Sequence, residues 1–134
     1  VHGSIKHPYL DYVRDLTYTG HAGYEELIDT LDREFREFNI CFVGHNHKAF
    51  LSTREGDIFP HEGISEFYTA DQKFYACVGS VGQPRDGDNR SCFVTLDGEK
   101  LSYHRVPYDY RKTAAKIRAA GLPEFLAERI EKGI

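Results

Sequence analysis

A chain of 134 residues, 40% hydrophobic and 13% aromatic, suits one packed domain and is too apolar for a disordered segment. Its net charge of −4 and pI near 6.0 argue against a binder of nucleic-acid backbone and leave nucleotide-sized substrates open. No apolar run is long enough to span a bilayer and the first residues carry no secretory core, so a cytoplasmic protein with no membrane partner is expected.

Residues 1–23, rich in Gly, His and Tyr, lack periodicity and read as a long loop with one helical turn near 8–14. Tyr9, Tyr12, Tyr18 and Tyr24 could stack a base there. Residues 24–38 predict a helix whose apolar stripe is Leu27, Ile28, Leu31, Phe35 and Phe38. Residues 40–44, ICFVG, then form a short buried strand. Further strands are expected over 49–53, 56–60, 73–79, 91–97 and 101–107, with Asp97-Gly98 marking a hairpin between the last two. A helix follows over 109–120, with Asp109 as N-cap and Gly121 as stop. Pro123 opens a second short helix at its first position. Helix-to-strand steps early and hairpins late predict an α/β (α+β) arrangement with a mixed or antiparallel sheet.

Cys41, Cys77 and Cys92 are odd in number and widely spaced, so they read as buried, reduced thiols. The chain has no Met and opens Val-His-Gly-Ser, so it is expected to be the C-terminal part of a longer protein.

Chemistry concentrates at GHNH, residues 44–47. Imidazole is the commonest metal-ligating side chain. In extended backbone, residues two apart share a side, so His45 and His47 could converge on one metal or reach two. Seven histidines in a chain of this length produce roughly 0.4 His-x-His patterns by chance, so the motif alone is weak. Val1-His2-Gly3 follows the same logic, an apolar residue then His and Gly entering a loop, and adds His2 to the candidate set. His7, His21, His61 and His104 read as surface or loop residues. Residues 78–88, VGSVGQPRDGD, form a glycine-rich loop in which Arg85 is available to a phosphate.

Three motifs in this order, VHGS at 1–4, VGHNH at 43–47 and VGSVGQPRDGD at 78–88, resemble the calcineurin-like metallophosphoesterase superfamily. The likeness is to bacterial members grouped with dinucleoside polyphosphatases and small phosphodiesterases. The ending, DYRKTAAKIRAAGLPEFLAERIEKG, resembles the C-terminal helices of that group. The resemblance implies that residues 1–134 are the C-terminal half of a four-layer α-β-β-α sandwich. It implies His2 and His45 as ligands of one metal and His47 of the other, with Asn46 and Arg85 on the substrate side. It implies two divalent transition-metal ions, Mn, Fe or Zn, and a phosphate-ester substrate: a phosphodiester, a phosphomonoester or a nucleotide polyphosphate.

The family's Asp-x-His and Gly-Asn-His motifs do not occur in this chain, and its two Gly-Asp pairs, at 56–57 and 87–88, follow the Gly-His-x-His motif instead of preceding it as the family's does. The bridging aspartate and the histidine that protonates the leaving group are therefore expected upstream, with no catalytic residue here. The alternative is a non-catalytic binding or assembly module of that family. An open sheet edge would then pair it with the missing half or with another copy of the chain.

Overall fold

The computed structural model describes residues 1–4, 7–9, 26, 29–30, 32–33, 38–60, 65–69 and 72–134. Ile40–Val43 (β1) alternates half-buried and buried side chains. It pairs in parallel with Phe74–Val78 (β5), Val43 opposite Cys77. Ala49–Thr53 (β2) runs antiparallel on the other side of β5, and Gly56–Ile58 (β3) closes this mixed sheet in the order β1-β5-β2-β3. A second sheet is antiparallel, with Glu66–Tyr68 (β4), Lys100–Val106 (β7) and Ser91–Asp97 (β6) in the order β4-β7-β6.

The two sheets face each other across the core. Ala49, Leu51, Phe74 and Ala76 from the first meet Cys92, Leu101 and Tyr103 from the second. The opposite face of β2 and β5, carrying Phe50, Tyr75 and Cys77, is buried as well. That is why those strands read as continuous apolar runs rather than alternating ones. Tyr103 joins the sheets with a polar tie: its hydroxyl lies 2.9 Å from the Phe50 carbonyl and 3.0 Å from that of Cys77.

Tyr110–Ala119 (α1) and Glu124–Lys132 (α2) form a helix pair. Arg118 of α1 reaches Glu124 and Glu131 of α2 across it. No described helix is long and apolar enough to cross a membrane.

The mixed and antiparallel sheets, the helix pair and the Gly98-Glu99 hairpin turn agree with the sequence reading. Several details differ. Pro123 is the N-cap of α2, not its first helical residue, because its ψ of 134° is still extended. Asp109 is an N-cap without a side-chain cap bond; its carboxylate pairs instead with Lys112 at 3.3 Å. The strand expected over 56–60 stops at Ile58. Strand β4 was not expected: its three residues are too few to show alternation, and pairing with β7 makes the strand.

Within 24–38, Glu26, Asp29, Thr30, Asp32 and Arg33 are helical. Phe38 is 61% exposed; it lies past those helical positions, just before β1, so helical spacing no longer decides its face. Leu27, Ile28, Leu31 and Phe35 lie outside the described residues, as do Tyr12, Tyr18, Tyr24, His21 and His61.

Candidate metal centre

Parallel pairing puts the C-terminal ends of β1 and β5 at one edge of the first sheet, and β2 starts there. The turn from β1 to β2 must cross the end of β5, and that turn is Gly44–His45–Asn46–His47–Lys48. The loop leaving β5, residues 79–90, starts at the same edge. The N-terminal segment is tied to it too: the N–H groups of Gly44 and His45 donate to the His2 carbonyl at 3.0 and 2.8 Å. All three motifs therefore meet at the carboxyl ends of parallel strands, where open α/β sheets place ligands.

The crossing turn is tight. His47 takes φ of 56°, the left-handed region, which His tolerates better than most residues. Beneath it lies Cys77, whose sulfur is approached by the N–H groups of Asn46, Lys48 and Gly79 while burial pushes the thiol up to about 11.

His2 Nε2 lies 2.5 Å from His45 Nδ1, with the rings edge to face. Two ring nitrogens directed at one point can share a proton, and they can equally share a cation. His47 is fixed differently. Its Nδ1 lies 2.9 Å from the Gln83 carbonyl. A carbonyl only accepts, so Nδ1 carries the hydrogen and Nε2 keeps its lone pair. The Arg85 N–H returns a bond to the His47 carbonyl at 3.0 Å. Burial first, then the charges of His2, His47 and Arg85, lower the pKa of His45. Burial, Arg85, His2 and Arg129 lower that of His47 against the raising effect of the Gln83 bond. Both rings are thus biased toward the neutral, ligating form.

The loop carrying Gln83 is held by charge. Asp86 accepts from the Ala49 N–H at 3.0 Å and from both terminal nitrogens of Arg105. Asp88 grips Arg90, and that bond chiefly holds its carboxyl below the usual range.

Of the other expected site residues, Asn46 is buried, and its Oδ1 has no partner among the described residues. Arg85 is half-buried; it reaches Gln83 Oε1 at 3.1 Å, and its Nε has no partner among the described residues. His7 is exposed. His104 stacks on Phe93 and bonds Thr95, away from the centre. Sequence reasoning missed the Gln83 carbonyl, a backbone group without a residue-type signature, and the Asp86–Arg105 pair, whose members are 19 positions apart. Among the described residues no three His, Cys, Asp or Glu side chains form a ready-made metal cluster. The donors present, two converging imidazoles and one oriented imidazole, fit part of a transition-metal shell and lack its carboxylates.

This two-sheet fold with strand-end histidines is that of a metallophosphoesterase. The chain superimposes over 100% of its length on the crystal structure of a metallophosphoesterase from Sphaerobacter thermophilus, with a TM-score of 0.81 and 30% identity, covering 55% of that chain. That likeness supports the calcineurin-like metallophosphoesterase superfamily for this chain, and the share of that structure it spans fits a C-terminal half. A hypothetical protein from Pyrococcus horikoshii shares the fold, with a TM-score of 0.66 at 20% identity. An uncharacterized protein of Methanocaldococcus jannaschii is 39% identical over 107 residues, 78% of this chain and 44% of that protein. The chain thus spans about half the length of these relatives. No family model matches it.

Proposed function

We propose that this chain, residues 1–134, is the C-terminal half of the domain of a binuclear metal-dependent phosphoesterase, and that it contributes His2, His45 and His47 to the metal centre. The observation that carries this reading is the convergence of His2 and His45 at 2.5 Å beside a His47 held in its Nδ1–H tautomer by the Gln83 carbonyl. His2 and His45 would hold one ion, and His47 Nε2 the other. The carboxylates that complete the centre, and the general acid, belong to the Asp-x-His, Gly-Asp and Gly-Asn-His motifs elsewhere in the protein. Neutral imidazoles select Mn, Fe or Zn over Mg or Ca. Such ions, when bound, supply a nucleophilic hydroxide at neutral pH and neutralise charge on the transferring phosphoryl group.

The chain's own residues then have separate tasks. His2 and His45 present lone pairs to one point. The Gln83 carbonyl keeps the His47 ring from rotating. Arg85, whose Nε has no partner among the described residues, can donate to a non-bridging phosphate oxygen.

The test is metal content and hydrolysis of bis(p-nitrophenyl) phosphate by the complete protein with Mn. His47→Asn is the informative variant, because Asn accepts the left-handed backbone of position 47 while removing the imidazole. It should lose metal and at least about 100-fold in activity, the upper end of what an outer-shell change costs. Retention of both would remove His47 from the centre. Metal-free, inactive but stably assembled wild-type protein would favour the non-catalytic binding module instead.

A further inference from the structure

Gln83 offers two oxygens, and each holds a different part of the candidate centre. Its backbone carbonyl lies 2.9 Å from Nδ1 of His47. Its side-chain Oε1 accepts from a terminal guanidinium nitrogen of Arg85 at 3.1 Å. A guanidinium only donates, so the oxygen end of the amide is the end that faces it. Arg85 closes the ring, since its backbone N–H donates to the His47 carbonyl at 3.0 Å. Three hydrogen bonds thus join His47, Gln83 and Arg85, and one of the three uses the Gln83 side chain.

The local sequence prepares this contact. A residue before proline is pushed toward extended backbone, and proline fixes its own φ at about −65°. Residues two apart in extended backbone share a side, which presents Gln83 and Arg85 together. Pro84 between them is fully buried and anchors the step. The Gln83 N–H donates to Ser80 Oγ at 3.0 Å and ties the start of the step to the same loop.

The neutrality of the amide matters. Asp86 follows Arg85 directly, yet its carboxylate is taken by Arg105, and Asp88 pairs with Arg90. Among the described residues no carboxylate pairs with Arg85, and its buried Nε has no partner there. An amide fixes a guanidinium by a hydrogen bond and leaves its charge uncancelled. A carboxylate in the same place would fix it and cancel it. Held by an amide, the guanidinium keeps its planar fork and its full attraction for an oxyanion.

We propose that the Gln83 side chain is a positioning residue: it fixes the Arg85 guanidinium, charge intact, in register with His47, so that an anionic oxygen at the centre meets Arg85 in one geometry. Through its carbonyl the residue orients a metal-ligating ring, and through its amide it orients the cation facing the anion. The two tasks are separable, because one belongs to the backbone and the other to the side chain. That the anion is a phosphate group of the substrate rests on the phosphoesterase reading; the coupling of Gln83 to Arg85 rests on their contact.

Side-chain substitutions at position 83 keep the backbone carbonyl, which makes the test selective. The complete protein, with Mn supplied, is titrated calorimetrically with inorganic phosphate, and Mn content and melting temperature are measured alongside. Gln83→Ala should weaken phosphate binding about tenfold, the worth of one hydrogen bond to a charged group. Gln83→Glu has the same shape and a negative charge. It should weaken phosphate binding at least as much while keeping the melting temperature. Both variants should keep Mn. A merely structural glutamine predicts otherwise: Glu would remake the contact and restore phosphate binding. In an Arg85→Met background, Gln83→Ala should cost nothing further, because its route to the anion has gone.

The positioning role is overturned if Gln83→Ala leaves phosphate binding unchanged, if Gln83→Glu binds phosphate as wild type does, if either loses Mn, or if the two losses multiply in the double variant. Where Gln83→Ala lowers the melting temperature, Gln83→Glu decides. A wild type that neither holds Mn nor hydrolyses bis(p-nitrophenyl) phosphate sinks the phosphoesterase reading, and the same comparisons of phosphate binding then still decide the role of Gln83. Hydrolysis that proceeds with phosphate binding indifferent to position 83 removes the positioning role and leaves that reading standing.

Discussion

Asp86 grips the guanidinium of Arg105 while the same carboxylate accepts the Ala49 N–H at 3.0 Å. Ala49 begins a strand of the first sheet and Arg105 lies next to the end of one of the second, so a single side chain pins the 79–90 loop to both. Their side chains are 16% and 19% exposed, which lets the pair matter more than a surface ion pair.

Asp86→Asn should therefore cost about 2–3 kcal/mol in chemical denaturation, since it strands a mostly buried guanidinium. It should also weaken metal binding about tenfold, because the loop carries the carbonyl that orients His47. Adding Arg105→Met should recover much of the stability and none of the metal affinity. Strict additivity of the two stability losses would show that the pair is not coupled.

Tyr103→Phe removes one hydroxyl shared between the Phe50 and Cys77 carbonyls, deep between the sheets. The expected loss is about 1–2 kcal/mol with the fold kept. Thermal unfolding of the variant checks this, and an unchanged midpoint would mean the hydroxyl contributes nothing there.

Gly79 closes β5 with φ of 77°, and a Cβ on it would lie 2.6 Å from both Cβ and Sγ of Cys92. Strain and overlap act together, so Gly79→Ala should cost about 2 kcal/mol or more. The neighbouring Gly82 has nothing within 4 Å of such a Cβ, so Gly82→Ala should leave the melting temperature within a degree or two. Equal effects would contradict the difference in packing.

Alkaline pH should destabilise the protein through its thiols. Burial raises Cys41, Cys77 and Cys92 from 9.0 to about 11. A raised folded-state pKa means that the unfolded chain releases its protons first. The contribution to stability is intact below about pH 9 and falls away between about 9 and about 11. Melting temperatures across that window should drop, and less so for Cys41→Ala measured against its own value at pH 8. An identical drop in the variant would assign the alkaline loss to other groups. Native protein at neutral pH should resist thiol-directed reagents.

Much of the architecture was legible because local chemistry decides it. FYACV is apolar enough to be a strand buried on both faces, and ICFV to be its half-buried parallel neighbour. Asp97-Gly98 signalled the hairpin, whose two-residue turn is Gly98-Glu99. The three motifs marked His2, His45 and His47 as candidate ligands because imidazole is a common metal donor and each motif sets its histidine beside a glycine or a loop.

What stayed hidden was whatever depends on a partner brought from elsewhere in the chain. Strand β4 has no pattern of its own and exists by pairing with β7. The sequence by itself determined the elements and the identity of the candidate ligands, since hydrophobic period and donor atoms belong to residue types. Only the tertiary structure decided which tautomer His47 takes, that Asp86 pairs with Arg105, and that the C-terminal end of α2 docks on the loop carrying Gln83. Hydrogen bonds and ion pairs form between atoms a few ångströms apart, and the sheet order β1-β5-β2, not sequence distance, sets which atoms those are.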